Sequence, residues 1–233
     1  MKKTFLRRLG AWTALALMFS GQAFALTPAT KPGLSQSEVI RGLKEALALG
    51  VNTAAGRASR IDGFYKNPAI FIPFPPQAIQ MKQMLEKIGL KSQVDKLVLT
   101  LNRAAEESAK KAGPIFLQAV KELTIEDGFQ ILRGPNDAAT AYLRRKTSLP
   151  LTKAFRPVVR SAMDKVEVTK YWNPLVTQYN RIPFMQKVNP NLEDYVTERA
   201  VSGLFKLIAE EEKKIRKDPA ARVTDILRRV FGS

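Results

Sequence analysis

From residue 35 onward, apolar residues recur every three or four positions, and this spacing constrains the fold more than any other feature of the chain. Val39, Leu43 and Leu47 follow it near the start, and Leu204 and Ile208 follow it near the end. Apolar residues at this spacing lie on one face of an α-helix, as is typical of a helix that packs on a core. No segment shows the convincing alternation of a half-buried strand, so the pattern predicts an all-α fold.

Helix starts are marked by a capping side chain that is followed three residues later by an acid. The pairs are Ser35 with Glu38, Ser92 with Asp95, Thr124 with Asp127, and Asn191 with Asp194. Prolines mark further starts, as in Ser148-Leu-Pro150, and Pro157 predicts a kink or a break. These signals predict about nine helices, which form a single compact multi-helix bundle over residues 35–233.

One of these helices is expected between Pro76 and Gly89. It carries four large apolar residues at helical spacing, and we expect all of them on one face. They are Met81, Met84, Leu85 and Ile88.

Two proline-containing segments interrupt the helical pattern. The first is DGFYKNPAIFIPFPP, residues 62–76, and the second is RIPFM, residues 181–185. Because a residue before proline is driven toward an extended conformation, we predict two extended straps. In the first strap Ile70, Ile72 and Phe74 should face one way and Phe71 the other.

The straps have two interpretations. They either pack over the bundle and help to hold a fold without disulfides, or they line an apolar groove that accepts an acyl chain or a partner helix. Burial of a Phe or Ile contributes about 1.5–3 kcal/mol to stability, which suits the first interpretation. Under the second, the candidate ligand-binding residues are Phe64, Tyr65, Ile70, Phe71, Ile72, Phe74, Ile182 and Phe184.

Residues 1–25 have the pattern of a signal peptide. Four basic residues precede the apolar run LGAWTALALMFS, and the small residues Ala23 and Ala25 suit a signal peptidase site. We expect a flexible mature N-terminus over residues 26–34 and export, most simply to the periplasm of a Gram-negative bacterium. The chain has no cysteine, so no disulfide can hold the exported fold.

The chain also has no histidine. Together with the absence of cysteine, this removes the usual zinc and copper ligands and the Ser-His and Cys-His nucleophile pairs. Carboxylates can still bind Ca²⁺ or Mg²⁺, but the D-x-[DN]-x-[DN]-G calcium loop is absent. We expect no metal site and no other cofactor. An enzyme built from this chain would depend on carboxylates, and Glu106 and Glu126 are the candidates for a hydrolase of wall polymers.

The net charge of +17 favours anionic partners. Without the four basic residues of the predicted leader, +13 remains. Because export makes nucleic acid unlikely as a partner, the expected partners are an anionic lipid or envelope surface, or another protein. The candidate cations for such a surface are Arg144, Arg145, Lys153, Arg156 and Arg160.

Four segments of the chain resemble a known family. They are DGFYKNPAIFIPFP, LNRAAEESAKKAGPIF, DGFQILRGPNDAATAYLR and YVTERAVSGLFKLIAEEEKKIRKDPAARVTDILRRVFG. The chain resembles, from about Leu34 to its C-terminus, the uncharacterised bacterial family catalogued as domain of unknown function 4197. The resemblance implies an exported helical protein of this size and implies no activity or catalytic residue.

Three functions remain open at this point. The first is a non-enzymatic periplasmic binding protein for an anionic, lipid-like ligand or an envelope surface. The second is a scaffolding or assembly factor of the envelope, and the third is the carboxylate-dependent hydrolase.

Overall fold

The computed structural model describes residues 35–165, 172, 176–184, 187–189, 191–218 and 228. All of them belong to one compact unit, residues 34–233. Within these residues the chain forms α-helices, a 3₁₀ turn and no strand, which confirms the all-α prediction. The predicted signal peptide, the predicted flexible segment 26–34 and, apart from Arg228, the helix expected after Asp218 lie outside the described residues.

Seven α-helices have defined bounds in the described part of the chain, fewer than the nine or so expected for the whole. They are α1 (Gln36–Ala58), α2 (Ile79–Lys87), α3 (Lys91–Ala109), α4 (Ala112–Lys121), α5 (Ile125–Arg133), α6 (Ala138–Met163) and α7 (Leu192–Lys217). The 3₁₀ turn, Pro76–Ala78, leads into α2, and residues 176–179 are also helical.

The two longest helices, α6 and α7, pack against each other at the centre of the bundle. Each has 26 residues, which corresponds to a length of about 39 Å. α3 packs against both of them, α1 packs against α7, and α4 lies between α1 and α6. α5 lies against α1 and α6, whereas α2 packs mainly on α3. The core joins these helices, and the rings of Phe116 on α4 and Phe205 on α7 meet edge to face at 5.7 Å.

The predicted helix caps are confirmed at three of four starts. Ser35 and Thr124 form complete capping boxes with Glu38 and Asp127. The Asn191 side chain accepts a hydrogen bond from the backbone N–H of Asp194 at 3.0 Å. The cap predicted at Ser92 is wrong, because α3 begins one residue earlier at Lys91 and has no side-chain cap.

Helix α6 runs through both of its prolines without a break. The start predicted at Ser148 and a break at Pro157 are therefore wrong. Pro150 and Pro157 both lie on the exposed side, while the buried stripe continues on the other side through Leu151, Phe155 and Val159. Packing of this stripe against α3, α4 and α7 outweighs the lost backbone hydrogen bonds.

Helix α2 buries only half of its predicted apolar face. Met81 and Leu85 are buried, but Met84 is 58% exposed and Ile88 is 71% exposed. The helix forms as predicted and the spacing of the four residues keeps them on one side of it, but the rest of the protein covers only Met81 and Leu85.

Candidate functional site

The first strap fills the core. Phe64, Ile70, Ile72 and Phe74 are buried, while Tyr65 and Phe71 are half-buried. The predicted alternation from residue 70 to residue 74 is confirmed. These side chains thus occupy the interior of the bundle, as the packing interpretation of the strap requires.

Two polar side chains of α3 fix this strap in place. Asn102 accepts a hydrogen bond from the Ile72 N–H at 2.9 Å and donates one to the Ile72 carbonyl at 2.8 Å. One helical turn further along, Glu106 accepts from the backbone N–H groups of Phe64 and Tyr65 at 3.0 and 3.1 Å. Arg103 pairs with the other carboxylate oxygen of Glu106 at 2.6 Å.

These contacts bear on the hydrolase alternative. One oxygen of Glu106 binds the strap, the other pairs with Arg103, and the side chain is buried. Glu126 is exposed in the first turn of α5, where a negative charge suits the helix dipole. The arrangement favours structural roles for both carboxylates.

Residues 181–184 of the second strap lie at the surface, and Met185 lies outside the described residues. Residues 181–184 follow turns rather than an extended path, and both Ile182 and Phe184 are exposed. Of the eight candidate ligand-binding residues, the structure therefore buries four, half-buries two and exposes two.

The five candidate cations all lie on the exposed side of α6, but in different environments. Arg156 and Arg160 form ion pairs with Asp194 and Glu193 of α7, at 2.7 and 2.8 Å. The Arg144 guanidinium lies 4.5 Å from the centre of the Phe205 ring. Arg145 and Lys153 have no acidic partner among the described residues.

A surface groove between α1, α4 and α5 combines an apolar floor with cations. It is open to solvent and has a volume of about 500 Å³, within the range of small-molecule sites. We call it the α1–α4–α5 groove. Its lining residues are Ser37, Ile40, Arg41, Lys44, Glu45, Ala48, Leu117, Val120, Lys121 and Ile125.

Local contacts explain the shape of this groove. Gly128 lets α5 approach α1, because a Cβ at that position would lie only 2.2 Å from the Cδ1 atom of Ile40. The capping box of Thr124 sets the start of α5 and leaves Ile125 52% exposed at the groove. Lys44 donates a hydrogen bond from Nζ to the Lys121 carbonyl at 2.9 Å, which ties α1 to the end of α4.

The groove carries three positive charges and one negative charge. Arg41, Lys44 and Lys121 contribute the cations, and Glu45 is the one carboxylate in the lining. Arg41 and Lys121 are exposed and have no acidic partner in the part of the chain that the structure describes. An anionic group with an apolar tail fits this combination of charge and lining.

Sequence reasoning missed this groove. Arg41, Lys44 and Ala48 lie on one face of α1 at helical spacing, a signal that is visible in the sequence. Leu117, Lys121 and Ile125 come from other parts of the chain, and only the packing of the helices brings them to α1.

Two other spaces are weaker candidates. One is a small cavity of about 20 Å³ between α1 and α7, where the carboxylate of Glu212 already accepts from the N–H groups of Ala139 and Thr140 and pairs with Arg216. The other is a shallow recess of about 510 Å³ beside α5, which has a more polar lining. The polar groups that line the first are already engaged with one another, and the second lacks an apolar floor.

Comparisons with known proteins give a family and no activity. A family model described as "Protein of unknown function (DUF4197)" matches residues 33–232. No curated protein and no solved structure matches the chain. None of the described helices is both long enough and apolar enough to span a membrane.

Proposed function

Since the chain belongs to the DUF4197 family, whose description assigns no function, we propose a function from the α1–α4–α5 groove. The protein is a non-enzymatic binding protein for an anionic, amphipathic molecule of the cell envelope. The acyl part of the ligand lies on the groove floor, and its anionic head lies against Arg41, Lys44 and Lys121.

The observation that carries this proposal is the pairing of an apolar floor with exposed cations that lack carboxylate partners among the described residues. Ile40, Val120 and the half-buried Leu117 supply the floor, and Arg41 and Lys121 stand at its edge. An acyl chain on the floor gains about 0.8 kcal/mol for each buried CH₂ group. A cation near an anionic headgroup adds attraction that decreases as salt increases.

Export to the periplasm remains part of the proposal. The pattern of residues 1–25 predicts it, and the periplasm exposes a protein to phospholipid headgroups and lipopolysaccharide phosphates. The net charge of +17 suits such ligands.

A titration with two lysophospholipids tests the groove. Below their micelle concentrations, lysophosphatidylglycerol should bind more tightly than lysophosphatidylcholine, as measured by isothermal titration calorimetry. The double variant Arg41→Gln/Lys121→Gln should weaken lysophosphatidylglycerol binding by about tenfold, because two headgroup contacts of about 0.7 kcal/mol each are lost. Binding of lysophosphatidylcholine should change little.

The matched control is the double variant Arg145→Gln/Lys153→Gln. It removes the same charge from exposed residues of α6 that do not line the groove, and should bind lysophosphatidylglycerol as the unaltered protein does. If the two double variants weakened binding equally, or if the unaltered protein bound neither lipid, the proposal would be wrong.

Native mass spectrometry of the purified protein separates this function from the scaffolding alternative. A co-purifying lipid adds a small mass to the chain, whereas a protein partner adds the mass of a whole subunit.

A further inference from the structure

One side chain, Asn180, fixes the backbone on both sides of the second strap. We call residues 176–180 together with Val188 the base of the strap. Asn180 donates a hydrogen bond from its amide to the Val188 carbonyl at 2.8 Å and accepts one from the Val188 N–H at 2.8 Å. Val176, Tyr179 and Val188 are buried and hold this base in the core. Residues 181–184 are therefore presented from a fixed base.

Two of these four residues carry large apolar side chains toward solvent. Ile182 is 46% exposed, and Phe184 is fully exposed. Phe184 also has a φ of +64°, in the left-handed region that bulky residues rarely adopt. A strained conformation of this kind is typical of residues with a functional role.

Helix α2 adds to this exposed apolar surface. The Tyr179 hydroxyl donates a hydrogen bond to Oε1 of Gln80 at 2.7 Å, which joins the base of the strap to α2. Met84 lies one turn beyond Gln80 on nearly the same face, and Ile88 lies one turn beyond Met84. Both are more than half exposed.

The charges on this surface are positive. Lys87 and Arg181 are exposed and have no acidic partner among the described residues. The sequence from 176 to 189 contains no Asp or Glu. On α2 the one acid, Glu86, forms an ion pair with Lys82 at 3.0 Å.

We propose that this surface docks the protein on an anionic lipid bilayer, with Ile182 and Phe184 inserted at the level of the headgroups. We call it the docking surface. It consists of Met84, Lys87, Ile88, Arg181, Ile182 and Phe184.

The charge and the form of the surface favour a bilayer as its occupant. Cations beside exposed apolar side chains match anionic headgroups above an acyl layer. The fully exposed Phe184 projects outward, and a bilayer accepts such a side chain without a complementary pocket. The proposal is independent of the α1–α4–α5 groove, because the two surfaces share no residue.

The chain has no cysteine, so a single labelled cysteine can report on one position. In the full chain, Ile182→Cys is labelled with the environment-sensitive dye NBD and mixed with phosphatidylcholine vesicles in which about one lipid in three is phosphatidylglycerol. The emission should increase and shift to the blue, and it should return toward its starting value at high salt. Vesicles of phosphatidylcholine alone should give a much smaller change.

Second substitutions test the individual residues. Phe184→Ser in the labelled protein should weaken vesicle partitioning by at least about tenfold, since a large apolar side chain no longer enters the bilayer. Lys87→Gln should weaken it by about fivefold. Both residues are exposed, so the fold should be retained, which far-UV circular dichroism checks.

The matched control is Ile61→Cys, which places the dye at an apolar residue that is 81% exposed and lies outside the docking surface. All variants carry the same N-terminus, so any contribution of residues 1–25 to vesicle binding is the same in all of them. No emission change at position 182, or an equal change at position 61, would overturn the proposal.

Two further outcomes distinguish docking on the bilayer from self-association and from lipid binding in the groove. A change at position 182 that grows with protein concentration without vesicles would also overturn the proposal, because it would indicate self-association. Docking should persist in Arg41→Gln/Lys121→Gln, so failure of the groove and failure of the docking surface are separate results.

Discussion

At the scale of single residues, Asp62 is the most constrained position of the first strap. Its φ of +67° is in the left-handed region, which Asp and Asn adopt more readily than most residues. Its carboxylate pairs with Lys66 at 2.9 Å and with Arg103 at 2.7 Å. The hydrogen bond from Lys66, followed by that from Arg103, lowers the pKa of Asp62 below its ordinary value.

This lowered pKa predicts a pH-dependent contribution to stability. The contribution is present above the pKa of the unfolded chain, about 3.9, and is lost as the pH falls through the lower pKa of the folded protein. Asp62→Asn keeps a residue that tolerates the backbone conformation but removes the charge. Between pH 6 and pH 3 the melting temperature should therefore fall less in Asp62→Asn than in the unaltered protein, as measured by calorimetry.

Asp137→Asn is the control for this measurement, since Asp137 is exposed and makes no side-chain capping hydrogen bond. It should show the same loss of melting temperature as the unaltered protein. An equal loss in all three proteins would contradict the role given to Asp62.

Residue-level predictions from the sequence succeed where the signal is local. The capping boxes of Ser35 and Thr124 need only neighbours within one turn, and the sequence predicts both. The backbone partners of Asn102 and Glu106 lie 30 and 42 residues away, and no local pattern indicates them.

At the scale of elements, α3 and α7 hold the first strap in position. Asn102 holds Ile72 from one side, and the Tyr195 hydroxyl of α7 donates to the Pro73 carbonyl at 3.0 Å. Gly203 of α7 leaves room for the strap, because a Cβ there would lie 2.9 Å from Phe64 and 3.1 Å from Ile70.

Asn102→Ala should therefore loosen the strap. The substitution leaves the buried N–H and carbonyl of Ile72 without these partners, and we expect it to lower the free energy of unfolding by about 2–4 kcal/mol. Urea denaturation measures this loss, and hydrogen exchange should show faster exchange of the Ile72 amide.

Gln118→Ala is the matched control, because its hydrogen bond to Glu122 lies on the exposed side of α4. Its effect should stay within about 0.5 kcal/mol. A similar small effect for Asn102→Ala would show that the side chain does not hold the strap.

Periodicity in the sequence predicts the helices, whereas a helix boundary such as the one expected at Ser148 depends on packing. The residues Ser148 to Pro150 have the pattern of a helix start, yet α6 continues through them because its buried stripe is continuous. Local signals and tertiary packing disagree at this point, and packing prevails.

At the scale of the whole molecule, the described helices share one continuous core. Phe116 and Phe205 are both fully buried and join α4 to the central pair of helices. No disulfide supports this core, so its stability depends on packing.

Phe116→Ala should accordingly destabilise the whole bundle. Removal of a fully buried ring costs about 3–5 kcal/mol. Far-UV circular dichroism and the fluorescence of the buried Trp172 should report the same shifted transition in urea. Phe129→Ala, at a half-buried position on α5, should cost clearly less. Different urea midpoints for the two probes would contradict a single cooperative core.

The α1–α4–α5 groove shows what whole-molecule structure adds to the sequence. Each cation of the groove lies in a sequence segment typical of a helix. That the cations line one groove is visible only in the packed structure of the three helices. Phe184 is a second example of a feature that the sequence does not reveal. It belongs to the same Ile-Pro-Phe motif as the buried Phe74, yet Phe184 is exposed.

The contacts of the first strap also set an order of events during synthesis. Tyr195 and Lys206 bind strap carbonyls 122 and 137 residues earlier in the chain. A ribosome needs about 7–27 s to add the longer of these intervals. Phe64 and Ile72 therefore have no α7 to cover them for at least that time, and chaperones can bind these two apolar residues on the nascent chain.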